Sequence, residues 1–116
     1  GKPSIVGHPE IYFNLSHCRS VAACVVSLSP VGVDVEDVRE FKESLARYVL
    51  NDDEYATVMS SQSPAQEFIR LWTMKESYLK LTGEGITRDL KTVLTDIGKY
   101  HFDTRRLHSS VLTICY

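Results

Sequence analysis

Residues 63–83 read SPAQEFIRLWTMKESYLKLTG, and the spacing of their apolar members predicts a helix over residues 64–81. Pro64 fits the first turn, Ser63 is placed to cap it, Gln66 stands where a Ser-x-x-Gln capping box needs it, and Gly83 supplies the stop. Wound at helical pitch, the apolar stripe is Phe68, Leu71, Trp72, Tyr78 and Leu79, with Arg70, Thr73 and Ser77 expected on the opposite side. A helix of this length with one apolar stripe needs a surface to lie on.

The flanking sequence supplies it as strands. Residues 11–14 predict a short strand, residues 20–28 a buried one, and Ser29-Pro30 the turn into a third over residues 31–37. Residues 41–50 place Phe41, Leu45, Tyr48 and Val49 at helical spacing, and Asn51-Asp52-Asp53 offers an N-cap to a second short helix running through Met59. Beyond Gly85, residues 89–97 fit helix by propensity or strand by the Val93-Leu94 pair, and residues 110–116 read as a closing strand. The fold class is α+β, with an antiparallel sheet packed against the long helix. Without an internal repeat or a Pro/Gly/Ser linker, all 116 residues are expected to form one domain.

Composition narrows the function classes. A net charge of −2 provides no global positive field, so neither nucleic acid nor an anionic membrane is expected as a partner and any phosphate site has to be local. No apolar run approaches the roughly 18 residues that a membrane span needs, and Gly1-Lys2-Pro3-Ser4 is unlike a signal segment, so the chain reads as cytoplasmic. Cys18, Cys24 and Cys115 follow no metal-type pair spacing and are expected as reduced thiols in or near the core. An opening on Gly-Lys-Pro without Met fits a part of something longer.

The chemistry starts at Val31-Gly32-Val33-Asp34-Val35-Glu36. Strict alternation turns the valines into the core and puts Asp34 and Glu36 on the other face, about 7 Å apart along the strand. Hard oxygen ligands so placed suit Mg²⁺, although an isolated Asp-x-Glu is more often a solvated strand face. On the long helix Glu76 and Lys80 stand at i and i+4 on the flank of the stripe, which also describes an ordinary helix ion pair. Lys75 falls inside the stripe, where its charge needs an anionic cleft or a snorkelling route past Trp72. Ser16-His17 is a phosphate-binding pair by its donors; adjacent side chains on a strand point apart, which argues against a nucleophile and its base. His8, His101 and His108 lack metal-ligand spacing, and Gly83-Glu84-Gly85 serves as helix stop and turn.

Taken in order, Gly1-Lys2-Pro3, Phe13-Asn14-Leu15-Ser16-His17, Gly32-Val33-Asp34-Val35-Glu36, the run from Trp72 to Lys80 and Gly83-Glu84-Gly85-Ile86 resemble the motif series of 4'-phosphopantetheinyl transferases, in particular the Sfp-type branch. The resemblance implies Mg²⁺-dependent transfer of the phosphopantetheine arm of coenzyme A to a serine of an acyl or peptidyl carrier protein, releasing adenosine 3',5'-bisphosphate. This is the holo-acyl-carrier-protein synthase reaction, and carriers of fatty acid, polyketide and nonribosomal peptide synthesis all fall within it. By motif, Asp34, Glu36 and Glu76 would surround the metal; Lys2, Ser16 and His17 would hold coenzyme A phosphates, and Lys75 would face the same anionic site. Glu76 would be the base for the carrier serine and Lys80 the cation on the phosphate under attack.

Sfp-type enzymes resemble two similar halves with coenzyme A between them, and this chain carries the second. The implied domain therefore lacks an N-terminal companion half, or replaces it by self-association. Two alternatives stand beside transfer: a non-catalytic half-domain that binds carrier protein or nucleotide, and a phosphohydrolase that uses the same carboxylates.

Overall fold

The computed structural model describes residues 6–85, 89–95 and 98–116. In chain order these form β1 (Tyr12–His17), β2 (Ala22–Ser27), β3 (Gly32–Asp37), α1 (Glu43–Val49), α2 (Asp52–Met59), α3 (Pro64–Thr82), a 3₁₀ turn (Leu90–Thr92), β4 (Phe102–Leu107) and β5 (Ser110–Cys115). The class is α+β: one antiparallel sheet runs in the order β3-β5-β4, β1 and β2 make a separate hairpin, and the 19-residue α3 packs on β3 and β5. Among the described residues no helix is long and apolar enough to cross a membrane.

The helix lies very close to the sheet. Glycine at position 32 permits this, because a Cβ there would stand 2.8 Å from the Leu81 nitrogen and closer still to the Ser77 carbonyl. Thr73 and Ser77, expected opposite the stripe, are therefore fully buried at this contact. Their hydroxyls remain satisfied, Thr73 donating to Arg70 O at 2.9 Å and sharing a 2.8 Å bond with Thr113, and Ser77 donating to Met74 O at 3.0 Å. Small polar residues that cap their own helix backbone serve where a large apolar side chain would hold helix and sheet apart. The stripe packs sideways, with Phe68, Ile69 and Leu71 meeting Ala46, Val49, Leu50, Val58 and Val111, while Tyr78, Leu79 and Leu81 meet Val93 and Cys115.

Several expectations change. Ser63 makes no side-chain cap, whereas Asn51 and Glu54 form a reciprocal capping box on α2 at 2.9 Å in each direction. The second strand is not buried: β2 alternates half-buried and exposed residues, with Val26 at 64 % exposure, because it edges a two-stranded hairpin. Tyr48 points outward from α1. Over residues 89–95 of the ambiguous stretch a 3₁₀ turn capped by Asp89 takes the place of helix or strand, residues 96 and 97 lying outside the described residues, and β4 follows as an unanticipated edge strand. The cysteines are free, but Cys24 is exposed.

Candidate active site

Strand pairing sets the site's floor. Gly32, Asp34 and Glu36 pair with Cys115, Thr113 and Val111, and this shared face lies under α3. Asp34 and Glu36 do share a face, as alternation requires, but that face is turned to the helix; Val33 and Val35 on the other are also fully buried. The carboxylates thus meet Glu76 and Lys80 from the helix.

Lys80 Nζ lies 3.6 Å from Asp34 Oδ1 and donates to Val33 O at 3.0 Å and Leu15 O at 3.2 Å. Ser16 accepts from Val35 N at 3.1 Å and donates to Asp34 Oδ1 at 3.4 Å. Asp34 Oδ2 is buried with no hydrogen-bond partner. Burial, followed by the Glu36 charge, pushes the Asp34 carboxyl from 3.8 up to about 8 against the pull of Lys80. Burial first and Glu36 second also push the Glu76 carboxyl upward, again opposed by Lys80. Three carboxylates and one ammonium are therefore electrostatically joined across β3 and α3, with a surplus of negative charge.

Ser16, His17, Asp34, Glu36 and Lys80 line a cavity of about 600 Å³. A second, of about 760 Å³, shares His17 and Glu36 and extends past Arg19 and Arg39. Among the described residues no three carboxylate, imidazole or thiol groups converge closely enough to form a ready-made metal cluster. The donor set nonetheless fits a hard divalent cation: all donors are carboxylate oxygens, one buried oxygen is orphaned, and a cation would relieve the repulsion that raises Asp34 and Glu76.

Lys75 is not brought to this opening. It is fully buried on another side of α3, where its ammonium donates to Glu54 Oε1 at 2.7 Å, Leu90 O at 2.7 Å and Val49 O at 2.9 Å. Those three acceptors satisfy its charge, which corrects its expected place beside coenzyme A phosphates. Lys2 lies outside the described residues. Sequence reasoning passed over Asn14, whose Oδ1 accepts from Val33 N at 2.9 Å, and Asp37; the i, i+2 spacing of Asn14 and Ser16 on one strand face was the available signal.

The family model of the 4'-phosphopantetheinyl transferase superfamily matches residues 30–115. The chain is 35% identical over 109 residues to the 4'-phosphopantetheinyl transferase psf-1 of Bacillus pumilus, covering 92% of this chain and 47% of that protein. It is 36% identical over 88 residues to the 4'-phosphopantetheinyl transferase gsp of Aneurinibacillus migulanus, covering 74% and 36%. With the 4'-phosphopantetheinyl transferase Sfp of Bacillus subtilis strain 168 it shares 32% identity over 92 residues, covering 78% and 41%. The chain spans less than half the length of these relatives.

Proposed function

The chain belongs to the 4'-phosphopantetheinyl transferase superfamily, and from that premise we propose that it transfers phosphopantetheine from coenzyme A to a carrier-protein serine, as the catalytic half of a larger cleft. The observation that carries this reading is the meeting of Asp34 and Glu36 on β3 with Glu76 and Lys80 on α3. Phosphoryl-type transfer depends chiefly on positioning and charge neutralisation, and this group supplies both.

Asp34, Glu36 and Glu76 would hold Mg²⁺, which when bound neutralises pyrophosphate charge. His17, at the cavity wall, donates to a phosphate oxygen, and the Ser16 hydroxyl does so by turning its one proton away from Asp34. Glu76 takes the proton of the carrier serine, directly or through a water, as that oxygen bonds to the phosphorus bearing the pantetheine arm. The bond from that phosphorus to the bridging oxygen breaks, and adenosine 3',5'-bisphosphate departs with the electron pair. Lys80 sits beside Asp34 to offset the charge that develops.

A second reading is favoured by one observation, the outward apolar face of the β1–β2 hairpin. It is a half-domain that binds carrier protein or coenzyme A without turnover until a companion half or a second copy completes the cleft. The outward apolar residues of the hairpin, Leu15 and Val26, support such a covering partner. Incubating the chain with coenzyme A, Mg²⁺ and an apo carrier protein separates the readings, with carrier mass and oligomeric state recorded together. A mass gain of one phosphopantetheine establishes transfer. A folded monomer that binds coenzyme A but leaves the carrier mass unchanged establishes the binding half-domain.

A further inference from the structure

β1 lies beside β3 without a backbone ladder between them. Asn14 Oδ1 accepts from Val33 N, Ser16 Oγ accepts from Val35 N, and Cys18 Sγ donates to Asp37 Oδ1 at 3.4 Å. The separation is 19 residues each time, so these contacts are successive rungs of a parallel register made by side chains. The third rung is the most elaborate. Besides Cys18, the Asp37 carboxylate accepts from Arg19 N at 3.2 Å, Ser20 Oγ at 3.3 Å and Ser110 Oγ at 2.8 Å. Ser110 is its register partner on β5, so the carboxylate is fixed from behind by the sheet while it grips the hairpin turn in front. Those bonds, led by the one from Ser110, hold the Asp37 carboxyl below its ordinary value.

This rung has a consequence for the site. Ser16 and Cys18 face β3, so His17 between them faces the other way, and it lines both cavities together with Glu36, the neighbour of Asp37. We propose that Asp37 is a positioning residue: by closing the third rung it fixes the His17 end of the hairpin against the Glu36 end of β3, and so sets the distance across which the phosphates of coenzyme A are held. The proposal rests on the transferase reading of this site. A single hydroxyl acceptor at position 37 cannot replace the carboxylate, because four donors from two elements converge on its two oxygens.

The test combines calorimetric binding of coenzyme A with Mg²⁺ and residue-resolved amide exchange on the full chain, for the wild type, Asp37→Ala, Asp37→Asn and Ser110→Ala. Asp37→Ala is expected to weaken coenzyme A binding about tenfold, as misplacement of a contact group does. The Arg19 amide is expected to lose protection while the Val33 amide keeps its own. Asp37→Asn, which retains an acceptor, recovers most of the affinity, and Ser110→Ala falls between. Affinity within twofold of wild type despite an unprotected Arg19 overturns the positioning role. Joint loss of protection at Arg19 and Val33 also overturns it, in favour of general stability. Wild-type protein that binds no coenzyme A overturns the transferase reading itself, an outcome distinct from both.

Discussion

Lys75 Nζ stands 2.7 Å from Glu54 Oε1, and the same Glu54 oxygen accepts from Asn51 N at 2.9 Å. One carboxylate therefore caps α2 and neutralises a fully buried cation of α3, while Val49 O and Leu90 O bind that cation from α1 and the 3₁₀ turn. Removing one partner of such a pair strands the other, so Lys75→Met is expected to lose about 3 kcal/mol of stability in urea unfolding. Coenzyme A affinity of the folded variant should change less than twofold. Affinity lost at undiminished stability would return Lys75 to the phosphate site.

Glu76 and Lys80 are expected to behave differently from Lys75, and from one another. Glu76→Gln keeps the shape of a half-buried side chain and removes a charge that Glu36 opposes, so the fold should hold while transfer falls by at least about a hundredfold. Lys80→Ala removes the donor to Leu15 O and Val33 O as well as the cation beside Asp34. It should cost about 1 kcal/mol of stability and a larger, hundredfold-scale share of the transfer rate. Rates and melting temperatures measured side by side check both; equal losses in Lys80→Ala would make it a purely structural residue.

The long helix, the carboxylate strand and the Asn51 cap were legible because each is a local pattern. Alternation correctly grouped Asp34 with Glu36, but periodicity reports which residues share a face and not what covers it; both faces of β3 turned out buried. Thr73 and Ser77 read as polar surface because the close approach that buries them depends on Gly32, some 40 residues away. Two of the three acceptors of Lys75 are backbone carbonyls of distant elements, which no side-chain pattern announces, and the third, Glu54, lies 21 residues away on another helix. β4 carries Phe102 and Leu107 as its only large apolar residues, too little alternation to reveal an edge strand.

Asp34 predicts a pH dependence with a definite sign. Its folded-state value is raised from 3.8 to about 8, so the stability linked to it is fully present below 3.8 and lost as pH rises through about 8. Without added metal, the wild type should therefore lose melting temperature relative to Asp34→Asn across that window. Mg²⁺ should narrow the gap by satisfying the ionised carboxylate, and should do so only in the protein that retains Asp34. A gap that is flat with pH would show that Asp34 is not held protonated, and a gap insensitive to Mg²⁺ would remove it from the metal site.

Gly32 links the fold to the site most directly, since it sits two residues before Asp34 on the face beneath α3. Its role is steric, because the neighbours that a Cβ would meet are the Ser77 and Leu81 backbone inside a helix, which cannot rotate aside as a side chain can. Gly32→Ala must lift α3 from β3, costing about 3 kcal/mol or more as overpacking. Lifting the helix also separates Glu76 and Lys80 from Asp34 and Glu36, so the folded fraction should lose transfer beyond what its lower stability explains. A Gly32→Ala protein with wild-type melting and wild-type transfer would mean that helix and strand approach less closely than this and that the four charged residues do not depend on the contact.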